Sequence, residues 1–585
     1  MAKIWLRGEY LLNAQLPLCP PSRIVTFNIA KMVAYAKSQG VDGYPFMTYE
    51  CWKYLAMNKL QMNQEMAEVY FDMALDCCKA VPTLTTSSLG ANHSGKDKRK
   101  KRVSLLGFAV FLFMQQASRF DLRASMSGLE RRPRAYSERE SRGRRSSIGG
   151  TLGNENIELK FMEFLLANLQ ALLELLPVYD SAIKDYHMPK SKGDTLTMNS
   201  LVALDLILEG HTSLDHSSVV PFSAVATSDL DDWTLGAIRI RIRSLEDFIR
   251  KVLQADPFAV AVPYSDPPFA ASNDRVGAST APLKRSSSET GLSPELAKLK
   301  LSESPEMASP RYGKIVHNAK VAPKSHRIVI VNCVSRQTVA KSSEIICNSS
   351  LHIGKCCQAY IYLFSPLRNA VARRCRGTTI VLGPTSGTIR LQHCYDCTFV
   401  VMCRRLIISD CQRCTIYVKS QAQPLVLGST CSEVIFAPYC SWYGDLEKQM
   451  AIAGIAAKPD RWNEPLALGN GDSKAANKDS PVSRCWRLMD PKDFYPINIP
   501  FRVPGGTRSI PGGLPGEYKR ALEERQLYFN EWNMYVSGLQ DDERQLVKEM
   551  VEKEYAIWLE KTGRMEELHQ LKVAEGRQLK KQLKK

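Results

Sequence analysis

Residues 351–440 read LHIGKCCQAYIYLFSPLRNAVARRCRGTTIVLGPTSGTIRLQHCYDCTFVVMCRRLIISDCQRCTIYVKSQAQPLVLGSTCSEVIFAPYC, and the period of their cysteines decides the fold. Cys356, Cys375, Cys394, Cys411 and Cys431 stand 19, 19, 17 and 20 residues apart. Five positions after each comes Ile361, Ile380, Phe399, Ile416 or Phe436, and seven after comes Leu363, Leu382, Val401, Val418 or Pro438. Three before stands Ile353, Ala372, Leu391, Ile408 or Gly428, and five before stands Leu351, Ala370, Ile389, Leu406 or Val426. Apolar residues therefore alternate on both sides of each cysteine, which is the period of a strand. β-Branched and aromatic residues dominate, and the units are too brief for helices. A repeated strand–turn–strand–turn unit with one column always inside describes a solenoid whose coils stack at roughly 4.8 Å. A right-handed parallel β-helix is expected, its hand following the crossover rule. Cysteine suits its corners because it is small, apolar and readily buried.

The same stretch carries Cys394-Tyr-Asp-Cys397 and Cys411-Gln-Arg-Cys414, a doubled CxxC that elsewhere reads as a zinc site. The repeat gives a plainer account, since Cys411 is Cys394 one coil later and Cys414 is Cys397 one coil later. The expectation is a ladder of buried thiols with no metal and no cofactor.

Outward from this segment the composition changes sharply. Twelve of the 17 cysteines lie between Cys333 and Cys440. The net charge of +18 suggests nucleic acid until it is located: residues 96–102, 119–145 and 572–585 together hold +15 of it. The rest is nearly balanced, so the basicity belongs to tails and inserts and no specific nucleic-acid partner is expected. The opening MAKIWLRGEYLLNAQLPLC has charges within its apolar stretch and does not read as a signal peptide. No run approaches the ~18 apolar residues of a membrane span. The run at 105–114 is too short, and 157–176 is broken by Glu158, Lys160, Glu163 and Glu174. A soluble intracellular chain with reduced thiols is expected.

Six segments follow. Residues 1–262 form a mainly helical region with disordered inserts near 82–102 and 124–150, where apolar residues are too few to offset ordering. Residues 263–312 are a linker rich in Ser, Pro and Ala. The β-helix occupies 313–440, a flanking helix packs on it within 441–468, a second linker spans 469–514, and helices with a basic tail fill 515–585. Helical spacing predicts helices over 48–79, over 157–176 with Asn154 or Asn156 as cap, over 200–209 and over 445–456. A further one is predicted over 229–254, where IRIRIR at 238–243 leaves a strand open.

CCQAYIYLFSPLRNAVARRC, VLGPTSGTIRLQHC, VVMCRRLIISDC and the closing VIFAPY make residues 332–439 resemble the tubulin-binding cofactor C homology (C-CAP) domain. That domain also occurs in the retinitis pigmentosa protein acting on Arf-like GTPases, with a related fold in cyclase-associated proteins. The flanking GDLEKQMAIAGI and DRWNEPLAL resemble members that carry the domain within a longer chain. The resemblance implies the β-helix already read from the repeat. It also implies a cytoplasmic, cytoskeletal role at microtubule-organising centres or spindle poles, affecting organelle position and cell shape. Its implied partners are tubulin, a small GTPase or another cytoskeletal protein.

Catalytic members are GTPase-activating proteins whose arginine, in a Q-x-R type stretch just after a cysteine, neutralises charge on the transferring phosphoryl group. Anchored on Cys403 and on Phe436 and Tyr439, that position falls on Ile407, and the glutamines fall on Arg404 and Arg405. The resemblance therefore implies a domain without its finger, and no enzyme. Arg390, one coil earlier in the same outward column, and Arg405 are the possible substitutes that would restore an activity. Arg373, Arg374, Arg376, Arg390, Arg404 and Arg405, with Phe436 and Tyr439, are the expected partner-binding face.

KDKRKKR at 96–102 reads as a solubilising insert or a nuclear address, and RRSS at 144–147 and KRSSS at 284–288 fit basic-directed phosphorylation. No phosphate loop, HExxH or nucleophile elbow occurs. His317, His326, His352 and His393 read as surface or corner residues of the β-helix.

Overall fold

The computed structural model describes residues 2–16, 18, 20–84, 101–119, 157–176, 195–216, 218–230, 239–255, 258, 314–320, 322–323, 326–342, 344–427, 431–469, 485–497, 499 and 509–561. The inserts expected near 82–102 and 124–150, apart from 82–84, 101 and 102, lie outside these residues. So do the linker 263–312, most of the linker 469–514, the serine motifs and the basic tail.

Strands Ile328–Asn332, Ser350–Gly354, Asn369–Arg373, Thr385–Gln392, Leu425–Leu427 and Leu466–Leu468 stack in one sheet. Thr338–Lys341, Tyr360–Leu363, Thr379–Leu382, Thr415–Ser420, Val434–Pro438 and Trp486–Leu488 stack in the other. The long strand Thr398–Ser409 serves both, its first half in the second sheet and its last half in the first. The pairings are parallel, apart from Lys314–His317, which runs antiparallel along Ile328–Asn332 and closes the first edge. This is a parallel β-helix. Its register follows the columns of the repeat: Ile361, Ile380, Phe399, Ile416 and Phe436 pair in succession, as do Leu351, Ala370, Ile389 and Leu406. The last coil departs, because Val426 pairs with Ile408 and not in the Leu406 column. Its 20-residue unit inserts extra chain between strand and cysteine.

The corners at Cys356, Cys375, Cys394 and Cys411 are turned by left-handed residues on both sides. Lys355, Arg374, His393 and Asp410 precede the cysteines, and Gln358, Gly377, Asp396 and Arg413 follow two later, all with φ between 48° and 55°. That conformation costs a non-glycine residue about 1–2 kcal/mol. The next coil holds it in place, since the N–H groups of Lys355, Arg374 and His393 donate to Arg373, Gln392 and Ser409 carbonyls at 3.0–3.1 Å.

The amino-terminal region packs helices around Leu105–Gln115, which is buried on every side. That burial explains its unbroken apolar run, and no helix among the described residues is long and apolar enough to cross a membrane. Several predicted helices divide. The 48–79 helix is two, Tyr49–Asn58 and Gln64–Lys79. Gln61 sits at φ 52° between them, and Asn63 caps the second through its side chain to Met66 N. The 157–176 helix breaks at Asn168 into Ile157–Ala167 and Leu169–Leu173, and its proposed caps lie outside the described residues. Residues 200–209 give only the short helix Met198–Leu201, a 3-10 turn and the strand Leu208–His211. That strand pairs with Lys3–Leu6, so cross-strand partners override helical spacing. Within 229–254 the strand alternative holds for Arg239–Arg241 and the helix for Ile242–Val252.

After the solenoid, helix Leu446–Ala453 ends at Gly454 with φ 65° and buries Leu446 and Met450 in the solenoid's hydrophobic cluster. Gly516–Gly538 docks by its first turns: the Tyr518 hydroxyl donates to Met489 O at 2.6 Å, and Arg525 bonds the Phe494 and Lys492 carbonyls. Its later turns and Asp541–Lys561 stand largely exposed.

Candidate functional site

The strands of the first sheet point alternate residues away from the solenoid. Pairing aligns Val371, Arg390, Ile407, Leu425 and Leu466 in one outward column. Outward positions of a free-standing solenoid should be polar. Here Ile407 is 1% exposed, and with Leu425, Leu427 and Leu468 it belongs to the hydrophobic core of the amino-terminal region. The outward face is therefore an internal interface.

The polar groups at its margin are paired in the same direction. Arg390, 5% exposed, donates through Nε to Leu12 O and through Nη2 to Gln15 O. Burial, and repulsion from Arg373, pull its pKa down, while the two carbonyls solvate the cation. Asp76, on helix Gln64–Lys79, accepts from Arg404 and from Arg405 at 3.3 Å. Arg368 Nε lies 3.1 Å from Glu9 Oε1. Asn13 Oδ1 and Asn369 Oδ1 both accept from Thr388 N at 3.0 Å. A Cβ on Gly387 would stand 2.1 Å from Asn369 Oδ1 and 2.9 Å from Asn13 Oδ1, so only glycine admits this approach. At the solenoid's entry, His326 Nε2 sits 2.8 Å from Glu209 Oε1 beside Trp5. His326 is thus a bridging residue where the sequence suggested a surface one.

Residues 348–466 match the family model described as "Tubulin binding cofactor C". The solenoid is a tubulin binding cofactor C domain. Along its whole length the chain is similar to proteins called TBCC domain-containing protein 1. It is 29% identical over 583 residues to that of Rattus norvegicus, covering 97% of this chain and 95% of the rat protein. It is 28% identical over 583 residues to that of Homo sapiens, covering 97% of each. Against the Danio rerio protein it is 29% identical over 594 residues, covering 97% and 93%.

The expected partner-binding face of the cofactor C domain divides. Arg390 and Arg405 are buried against the amino-terminal region, and neither faces solvent as a displaced finger would. Phe436 and Tyr439 are also buried, because Phe436 belongs to an inward column and Tyr439 follows it into the solenoid's cluster. Arg373 and Arg404 are half-buried. Arg374 and Arg376 are exposed, at the cysteine corner. That corner edge is polarised. Towards the carboxyl-terminal coils it neutralises itself, with Arg413 Nε 2.6 Å from Asp396 Oδ1. Towards the first coils it carries Arg336, bonded to Gln358, and Lys355, both half-buried, with Arg374 and Arg376 exposed. Asp76, Glu9 and the Leu12 and Gln15 carbonyls, which occupy the arginines, carry no motif and were not foreseen.

The thiols of the cofactor C domain bond to backbone carbonyls. Cys394, Cys411 and Cys414 donate to Gln392, Ser409 and Gln412 carbonyls at 3.3–3.4 Å. Cys394 also donates to Ala372 O at 3.6 Å, and the neighbouring thiols of Cys375, Cys397 and Cys411 hold its pKa below the ordinary thiol value. Elsewhere burial pushes the Cys403 and Cys440 thiols up to about 12, which suppresses the reactive thiolate. Cys411→Ala should therefore cost only ~1 kcal/mol in urea unfolding. A retained equivalent of zinc, with chelator-induced unfolding, would contradict the ladder.

Proposed function

We propose that this chain is a non-catalytic cytoskeletal scaffold or adaptor, acting at microtubule-organising centres or spindle poles in organelle positioning and cell morphogenesis. One observation carries the non-catalytic reading: Ile407, at the family's arginine position, is sealed into the amino-terminal core. The two arginines that could replace it are held by Leu12, Gln15 and Asp76. A finger contributes 10³–10⁵ in rate only if it reaches the phosphoryl group, and none of these side chains reaches solvent. The location and the cytoskeletal setting rest on the family resemblance.

The exposed basic end of the corner edge, Arg374 and Arg376, is the surface offered to an acidic partner such as tubulin. Charge there would steer encounter and set salt dependence more than affinity. The test is GTP turnover by Arf-like GTPases and by tubulin, with and without the full chain, alongside co-sedimentation with microtubules. The expected result is no stimulation and a microtubule association weakened by Arg374→Ala with Arg376→Ala. Turnover above the intrinsic rate of any of these GTPases would overturn the non-catalytic reading.

A further inference from the structure

Away from the cofactor C domain, helices Thr26–Ser38, Tyr49–Asn58 and Gln64–Lys79 enclose an open cleft of about 610 Å³. Its walls are aromatic. Tyr35 and Tyr54 stack with centroids 5.6 Å apart and planes at 20°, and Tyr49 is held edge-on against Phe71 at 5.3 Å. Its rim is acidic, formed by Asp42, Glu50, Glu68 and Asp72. These carboxylates act on the groups inside: besides burial, Glu68, Glu50 and Asp72 raise the Tyr49 hydroxyl, and Asp42 raises the Cys51 thiol. One cation is already seated there. Lys101 Nζ lies 2.9 Å from Asp72 Oδ1, leaving Asp42, Glu50 and Glu68 without an ion pair among the described residues.

We propose that the Tyr35–Tyr49–Tyr54 cleft is a binding site for a lysine- or arginine-bearing peptide segment of a partner protein. Cationic heads are drawn to tyrosine faces and to carboxylates, and the aliphatic stems of lysine and arginine lie along apolar ring surface. A wall of tyrosines under a rim of carboxylates meets both halves of such a side chain, and the Lys101–Asp72 pair shows that the rim accepts a lysine head. The volume admits more than one side chain, which favours a peptide over a single small cation. The chain as a whole carries +18 and repels a basic peptide, so capture at this place is a local property of the cleft. The cleft shares no residue with the solenoid face, although Asp72 lies one helical turn from Asp76 on Gln64–Lys79, and it does not depend on the scaffold reading.

Fluorescence anisotropy of a labelled hexalysine peptide titrated with the full chain tests it, with hexaglutamate as the control. Saturable binding of hexalysine alone is expected, weakened about tenfold or more by Glu50→Gln with Glu68→Gln, and likewise by Tyr54→Ala. Glu50, Glu68 and Tyr54 are exposed, so the variants should melt with the parent protein. Glu447→Gln, on the exposed side of helix Leu446–Ala453, should leave the affinity unchanged. No binding of hexalysine, or equal binding by the double variant, would overturn the proposal.

Discussion

Ile407→Arg is expected to lower stability by about 4 kcal/mol and to create no GTP turnover. If the family's catalytic face were open, restoring an arginine at this position would restore a finger. The face is closed instead: the side chain is packed among Leu425, Leu427 and the amino-terminal core, with Arg390 as its neighbour in the column. A guanidinium there would be buried beside another guanidinium with no carboxylate assigned to it. Ile407→Val, which removes one methylene, should cost only about 1 kcal/mol and serves as the control. Urea unfolding of the full chain reads both. An Ile407→Arg protein with the parent's unfolding midpoint would show that the face opens readily.

Arg390→Ala comes next, with an expected loss of about 3 kcal/mol. The arginine is buried, yet its two hydrogen bonds go to backbone carbonyls of the amino-terminal segment. Truncation strands Leu12 O and Gln15 O without a donor and opens a void beneath them. Arg390→Met restores the volume but not the donors, so it should recover only part of the loss. Hydrogen exchange should quicken around residues 10–16 in both variants. Unchanged exchange there would mean that these carbonyls are satisfied without Arg390.

The solenoid was legible because its inward residues repeat. Each coil restates the pattern of Ile380, Leu382, Cys375 and Ile389 within about 19 residues, so fold, strand columns and register are encoded locally. The covering of its outward face was encoded non-locally. Val371, Ile407, Leu425 and Leu427 are apolar at outward positions, which is a signal that another part of the chain lies over them, and it was there to be read. What covers them was not, because Leu12 and Gln15 contribute carbonyls that every residue type possesses, and Asp76 looks like any exposed acid on a helix. Helix breaks at Gln61 and Asn168 escaped for a related reason: one residue's conformation interrupts a spacing that continues on both sides.

The docking of helix Gly8–Asn13 on the solenoid also has a consequence for biosynthesis. Its partners Arg368, Thr388 and Arg390 leave the ribosome more than 350 residues later, a delay on the order of tens of seconds at ordinary elongation rates. Strand Lys3–Leu6 waits for Leu208–His211 as well. During that interval the part of the amino-terminal core that later covers Ile407, Leu425 and Leu427 stands open. A nascent chain stalled before residue 368 should therefore be an efficient client for chaperones, whereas one stalled after residue 440 should not.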